Sequence, residues 1–484
     1  MSAEIKQLSP KHVWEYFYEL TQIPRPTGHM EAVTRFVADF GKKQGLDTLQ
    51  DEAGNVLIRK PATPGMENSK TIILQSHLDM VPQKNASVDH DFLTDPIEAY
   101  IDGDWVTARD TTLGADNGIG AALAMAVLSD NTLKHGPVEA LFTVNEEVGM
   151  DGAFGLKPGF LKGKTLINCD SEEEGELFVG CAGGADLTAS FQYKEDTHIP
   201  EGDMAVRLSL TGLKGGHSGL DINLGRGNAN KLIFRFLKEA VAECGARLSS
   251  IQGGSLRNAI PREAFAVITI PGENAEILWE MVSDYQDLYC LEYAGVETNI
   301  RFMAEKIDLP ATLMPEEIQD DLINAVEGCQ NGAITMLQDF PDTVESSSNL
   351  AVVTSGNGLI EVSILVRSSS ESRKNYLCSC LESVFSLAGA KVEYGGAYNG
   401  WQPDAHSPIL KVMLEAYEDL YGKKPSVKVM HAGLECGIIQ GIYPNMDMIS
   451  IGPDLRHPHS PDEKVNIPSV EKTWNFIKTI LERV

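Results

Sequence analysis

Four stretches place acids or histidine where an apolar run ends or a glycine-marked helix begins: QSHLDMV (75–81), LGADNGIG (113–120), TVNEEVG (143–149) and LINCDSEE (166–173). The runs that carry them read in order as a strand TIILQSHLDM, a helix GIGAALAMAVLSD, a strand VEALFTV and a strand KTLINCD. Buried strands that alternate with helices predict a mainly parallel, layered α/β fold. In such folds sites gather where strands end, which is where these acids and this histidine stand.

The spacing of the residues suggests a chemistry. His77 and Asp79 are two apart, so on a strand they share a face, and the aspartate can hold one ring nitrogen while the other binds a metal. Asp116 follows Gly114 at a helix start, where its two oxygens could serve two cations. Glu146 and Glu147 are adjacent like charges, which can share one site only where a strand ends and something positive waits. Asp170 and one of the two glutamates would complete the set. Carboxylates and imidazoles without thiolate suit zinc, and also manganese or cobalt. Each motif alone is commonplace, since DNG is usually a turn and EE usually a solvated edge. Four of them in order, each tied to an apolar run within about a hundred residues, point to a site.

A chain of 484 residues predicts two or three domains. With 43% hydrophobic and 23% charged residues it is globular and not disordered. The net charge of −29 opposes an extended nucleic-acid or anionic-membrane surface. No apolar stretch approaches the roughly 18 residues of a membrane span, and MSAEIKQLSP lacks the basic and apolar parts of a signal peptide, so the expected location is cytoplasmic. Eight cysteines between Cys169 and Cys436 form no CxxC pair, which argues against a disulfide framework and for reduced core thiols.

Helical spacing over 11–23 and 30–45 is interrupted by PRPTGH (24–29), read as a helix breaker, and EAGNVLIRK suggests a hairpin. From about 188 the pattern changes. Strands AVRLSL, AFAVITI and IEVSILVRS alternate with helices at 228–243, 273–289 and 371–387, as in an α+β region, with a weak doubled βαββαβ order whose halves meet near Pro310. From about 400, helix, strand and helix return. The expected organisation is a catalytic domain in two segments, 1–187 and 398–484, around an inserted lid at 188–397.

HLD (77–79), GADNG (114–118), NEEVG (145–149), CD (169–170) and HSPDE (459–463) resemble, over essentially the whole chain, the di-zinc metallopeptidases that include glutamate carboxypeptidases, aminoacylases and cytosolic dipeptidases. GGHSGLDIN (215–223), RNAIPRE (257–263), HAGLECG (431–437) and HPHSPDEKVNIPSVEKTW (457–474) look most like the aminoacyl-histidine dipeptidase branch. The resemblance implies a phosphorylase/hydrolase-like catalytic domain with a lid. It implies that His77 and Asp170 hold one metal, Glu147 and His459 the other, and that Asp116 bridges them; His457 is the competing histidine in HPH. Asp79 would clamp His77, Glu146 would be the general base, and His217 would stabilise the oxyanion. Arg367 would anchor a substrate carboxylate, while Asn258 and Glu435 would contact substrate, Glu435 alternatively supporting the metal centre. The peptide after Asp116 is expected to be cis.

The reaction implied is hydrolysis of dipeptides with a free amino terminus, preferentially Xaa-His and including carnosine-like peptides, by a metal-bridging water that Glu146 activates. Two divalent ions, zinc first, are the implied cofactors, and a homodimer through the lid is the implied assembly. The rival readings are an N-acyl amino acid deacylase or carboxypeptidase of the same family, and a non-catalytic metal-binding relative.

Overall fold

The computed structural model describes residues 2–484. The chain forms two compact units: Met1–Gly180 with Trp401–Val429 and Leu434–Val484, and Cys181–Gly400 with Met430–Gly433. The first crossing therefore falls before residue 188, and a short return at Met430–Gly433 joins the second unit with no change of periodicity to announce it.

The first unit is built on an eight-stranded sheet in the order Asp47–Gln50, Val56–Lys60, Val138–Thr143, Ile72–His77, Thr165–Asn168, Asp447–Ser450, Glu176–Cys181, Ser426–Met430. Its centre is parallel: Ile72–His77 pairs in parallel with both Val138–Thr143 and Thr165–Asn168, and the last of these with Asp447–Ser450. Every residue of Ile72–His77, Val138–Thr143 and Thr165–Asn168 is buried, the polar Gln75, Glu139 and Asn168 among the apolar majority, as in a parallel sheet covered on both faces. Asp47–Gln50 and Val56–Lys60 form an antiparallel hairpin at one edge, which needs no crossover; Val56–Lys60 also runs antiparallel to Val138–Thr143, and Glu176–Cys181 to Asp447–Ser450.

Parallel pairing brings the carboxyl ends of three strands to one edge, with His77 level with Thr143 and Gln75 with Asn168. The residues that follow each strand therefore emerge side by side. Helix Ala115–Ser129 is buried on all sides, and departs from helical geometry at Asp116 and Asn117, whose peptide bond is cis. Asp116 thus stands off the helix line. A small four-stranded sheet (Leu455–Arg456, Lys464–Asn466, Trp105–Ala108, Ala99–Asp102), which the apolar runs do not announce, holds both ends of the segment that carries His459.

The second unit is a nine-stranded antiparallel sheet whose four helices, Ala229–Cys244, Ala275–Glu292, Glu316–Gly328 and Glu371–Leu387, share one apolar cluster with it. Asp203–Thr211, Arg247–Gly253, Ala264–Pro271 and Arg301–Ile307 lie in the order fourth, first, third, second of a split βαβ unit. Gly183–Gln192, Val344–Gly356, Leu359–Ser368 and Lys391–Tyr398 repeat that order in mirror sequence across the sheet. The two repeats join through their second strands, Gln252 opposite Thr354. They are not consecutive halves meeting near Pro310: the first strand of the second repeat, Gly183–Gln192, precedes the whole of the first repeat, a pairing too distant in sequence for periodicity to reveal. No helix of the described residues is long and apolar enough to cross a membrane.

Candidate metal centre

Asp116 is the meeting point. Its Oδ1 lies 3.1 Å from His77 Nε2 and its Oδ2 lies 3.2 Å from His459 Nε2. Asp170 Oδ1 is 3.3 Å from the same nitrogen of His77, and Glu147 Oε2 is 3.0 Å from the same nitrogen of His459. Two triads result, His77–Asp116–Asp170 and Asp116–Glu147–His459, each with its candidate donor atoms within 4.8 Å of one another. Of the two histidines in HPH, it is His459 that reaches this cluster. His77 and Glu146 and Glu147 form a third such group, so both glutamates face inward.

The donors fit divalent cations. Glu147 Oε1 is buried without a hydrogen-bond partner, and Asp170 Oδ1 meets only the ring nitrogen of His77 that Asp116 also faces, which leaves lone pairs that a cation would satisfy. The thiol of Cys169 is buried and pushed up to about 12 by that burial and by Asp170, and no cysteine belongs to a candidate donor group among the described residues.

Two acids hold the loops in register. Asp79, fully buried, lies 3.4 Å from His77 Nδ1 and accepts the backbone N–H groups of Glu146 at 3.0 Å and Glu147 at 3.2 Å. The residue that orients the imidazole thereby also places the paired glutamates, and Asn145, at φ 53°, turns the chain as it leaves the strand. Burial raises Asp79, but its bonds to His77 and Glu146 outweigh this and hold it down at about 2. Glu463 accepts four consecutive backbone N–H groups, those of Leu113, Gly114, Ala115 and Asp116, at 2.7 to 3.1 Å. It pins the turn that presents Asp116 and is absent from the sequence reading except as a letter of HSPDE.

The electrostatics follow from packing acids together. Burial, then the neighbouring Asp170, Glu435 and Glu147 charges, push Glu146 well above the carboxylate range against the pull of His77. Asp170 rises to about 6 and Glu172 to about 8, again chiefly through burial. Burial opposes the charge of His77, yet Asp170 and Asp116 outweigh it and raise the imidazole well above its usual value. His459 is raised to about 11 by its bonds to Asp116 and Glu147. Glu435 lies fully buried beneath the strand ends, where it accepts from Gln75 at 2.6 Å and Thr143 at 2.7 Å. Both bonds fall on Oε2, and Oε1 is buried without a partner.

The second unit holds the other three residues. His217 lies on a two-residue strand, and the N–H of Ser218 beside it donates to the carbonyl of Asn258 at 2.9 Å. Its Nδ1 accepts from the N–H groups of Gly219 at 3.1 Å and Leu220 at 3.0 Å, so the neutral ring carries its proton on Nε2. Burial and the nearby Arg367 lower His217 to about 4 and keep it neutral at pH 7. Arg367, 6% exposed, donates from Nη1 to Tyr398 at 2.8 Å and leaves its buried Nε unpartnered. Ser347 and His431, 2.7 Å apart, stand in the same electrostatic neighbourhood; no spacing rule singled out these two or Tyr398.

A carboxylate shared by two imidazoles, with terminal acids on each side, is the arrangement that hydrolases use for paired divalent cations. The chain belongs to peptidase family M20/M25/M40, whose sequence profile matches residues 73–483. It is 46% identical over 482 residues to the cytosol non-specific dipeptidase of Escherichia coli (strain K12), covering 100% of this chain and 99% of that protein. It is similar in structure to the aminoacylhistidine dipeptidase of Vibrio alginolyticus, with TM-score 0.93, 48% identity and coverage of 99% and 98% of the two chains. Aminopeptidase PepT of Bacillus cereus, at TM-score 0.58, 16% identity and 98% coverage of each chain, shares the fold.

Without metal the folded chain holds extra protons. His459 at about 11 is above the histidine value of about 6.5, so its stabilisation is complete below about pH 6.5 and is lost as pH rises towards 11. The raised Glu172, Glu435 and Glu463, at about 8, 7 and 7, act in the same direction as they ionise. The depressed Asp79 and Asp116 matter only in acid. The chelated protein should therefore melt at a lower temperature at pH 9 than at pH 6.5, and a divalent cation should remove most of the difference. Equal melting temperatures for the chelated protein at the two pH values would contradict this electrostatic picture.

Proposed function

We propose that the protein is a two-cation dipeptidase acting on dipeptides with a free amino terminus, with histidine preferred at the second position. The observation that carries the reading is the division of Asp116 between two imidazoles, each with its own terminal acid. The full-length likeness to a protein named a cytosol non-specific dipeptidase supports the substrate class.

In this reading His77 and Asp170 hold one cation, Glu147 and His459 the other, and Asp116 both; carboxylate and imidazole donors without thiolate suit zinc and also manganese or cobalt. Two bound cations would polarise the peptide carbonyl and acidify water. The chain's own residues do the rest. Glu146 takes a proton from the attacking water and returns it to the leaving amine, a task that suits a carboxyl that burial raises above its usual range. Asp79 keeps the His77 ring oriented and holds the Glu146 and Glu147 backbone. The Nε2 proton of neutral His217 is available to a developing oxyanion. The Arg367 fork suits the substrate's terminal carboxylate, with Asn258 as a further polar contact and Glu435 supporting from below.

Glu146→Gln should lower kcat by at least about a hundredfold while both cations remain bound; near-parental turnover would remove Glu146 from the role of base. Ala-His and its N-acetylated form discriminate the substrate class. Histidine release from the free peptide alone supports a dipeptidase, whereas faster cleavage of the acetylated form would move the assignment to a deacylase or carboxypeptidase.

A further inference from the structure

We propose that the segment Pro24–Gly28 fixes the spacing of the two cation positions, with Arg25 as the positioning residue that ties the loop after His77 to the loop before Asp116. The proposal rests on the two-cation reading and adds a part to it.

Arg25 is 1% exposed and has no carboxylate ion pair among the described residues. Its Nη1 donates to the carbonyls of Leu78 at 2.9 Å and Asp79 at 3.2 Å, and its Nη2 to the carbonyl of Gly114 at 2.5 Å. One planar fork thus spans the two backbone segments that present His77 and Asp116. Its Nε is buried without a partner. A guanidinium buried in this way is costly unless its surroundings are strongly anionic, and Glu463, Asp79, Asp116 and Glu147 supply that field.

The glycines of GADNG make room for it. A Cβ on Gly114 would lie 2.5 Å from Arg25 Nη2, and one on Gly118 would lie 2.6 Å from it. Gly114 also has φ +71°, a conformation that disfavours side chains.

The rest of the segment reinforces the clasp. The N–H of Met80 donates to the Arg25 carbonyl at 3.1 Å, and the N–H of Thr27 to the Met80 carbonyl at 3.2 Å. Thr27 Oγ1 donates to Asp79 Oδ2 at 2.9 Å, and the N–H of Gly28 to Asn145 Oδ1 at 2.9 Å. Pro24 and Pro26 have fixed φ and restrict Ile23 and Arg25 before them, so the segment is stiff. PRPTGH does more than break a helix: it touches the segments before Asp116, after His77 and before Glu146. A lysine cannot reproduce the fork, because a single ammonium cannot hold three carbonyls in one plane.

The test is manganese titration of chelated parent, Arg25→Lys and Thr27→Val proteins, with folding checked by near-ultraviolet circular dichroism, electron paramagnetic resonance of the loaded proteins, and steady-state kinetics. The parent should take two ions with a spin-coupled signal. Arg25→Lys should bind at least one ion about tenfold to a hundredfold more weakly, with altered coupling and a lower kcat at little changed KM. Thr27→Val, which removes one hydroxyl, should shift the same quantities in the same direction by less. A folded Arg25→Lys protein with affinities, coupling and kcat all within twofold of the parent would overturn the proposal. If Arg25→Lys fails to fold, unchanged affinity and coupling in Thr27→Val would do so. A parent that binds fewer than two ions would defeat the two-cation reading itself, an outcome distinct from a parent with two ions and an indifferent Arg25→Lys.

Discussion

Carboxylates cannot be crowded into a buried space unless cations share them or protons neutralise them. Around Asp116 the chain gathers Asp79, Glu146, Glu147, Asp170, Glu172, Glu435 and Glu463, and sets His77, His459 and Arg25 against them. In water the repulsion between two such acids is slight, but in a poorly solvated pocket it is several times larger. The protein answers it in two ways without metal. It holds protons on acids that would ordinarily be ionised, and it borrows charge from the two imidazoles. Divalent cations would replace those protons, and the buried, unpartnered Oε1 of Glu147 is one place where the replacement would begin.

That concentration of charge is made possible by the backbone beneath it. Parallel strands end together, so residues far apart in sequence reach one edge without long side chains. Each ligand-bearing segment is then fixed by bonds to main-chain atoms: Asp79 on the Glu146 and Glu147 amides, Glu463 on the turn before Asp116, Arg25 on the carbonyls of Leu78, Asp79 and Gly114. Backbone bonds of this kind tolerate little displacement, which is what a site with two cations a fixed distance apart requires.

Much of this was legible in the residues because the signals are local. Buried central strands are mostly apolar runs, and an acid or histidine at the end of such a run or at a glycine-marked helix start stands out against it; His77, Asp116, Asp170 and the Glu146–Glu147 pair are legible in this way, whereas the choice of Glu147 within the pair and the segment with His459 rest on the likeness to a known family. Other parts left no local mark. Glu463 acts by accepting amides far from it in sequence, and Arg25 sits between prolines in a stretch that reads as punctuation. The nested repeat escaped notice because Gly183–Gln192 pairs with Leu359–Ser368 and Lys391–Tyr398, strands that lie beyond the entire first repeat. Tyr398 and His431 are single polar residues whose partners, Arg367 and Ser347, are brought close only by the fold.

The central claim is that Asp116 is shared by two cations at once. The most direct measurement is the metal content of the protein, purified and dialysed in zinc-replete buffer, beside that of Asp116→Asn prepared identically. Two ions per chain in the parent and a loss that extends to both ions in the variant are the expected result. One ion per chain in the parent, or a variant that keeps both, would contradict it.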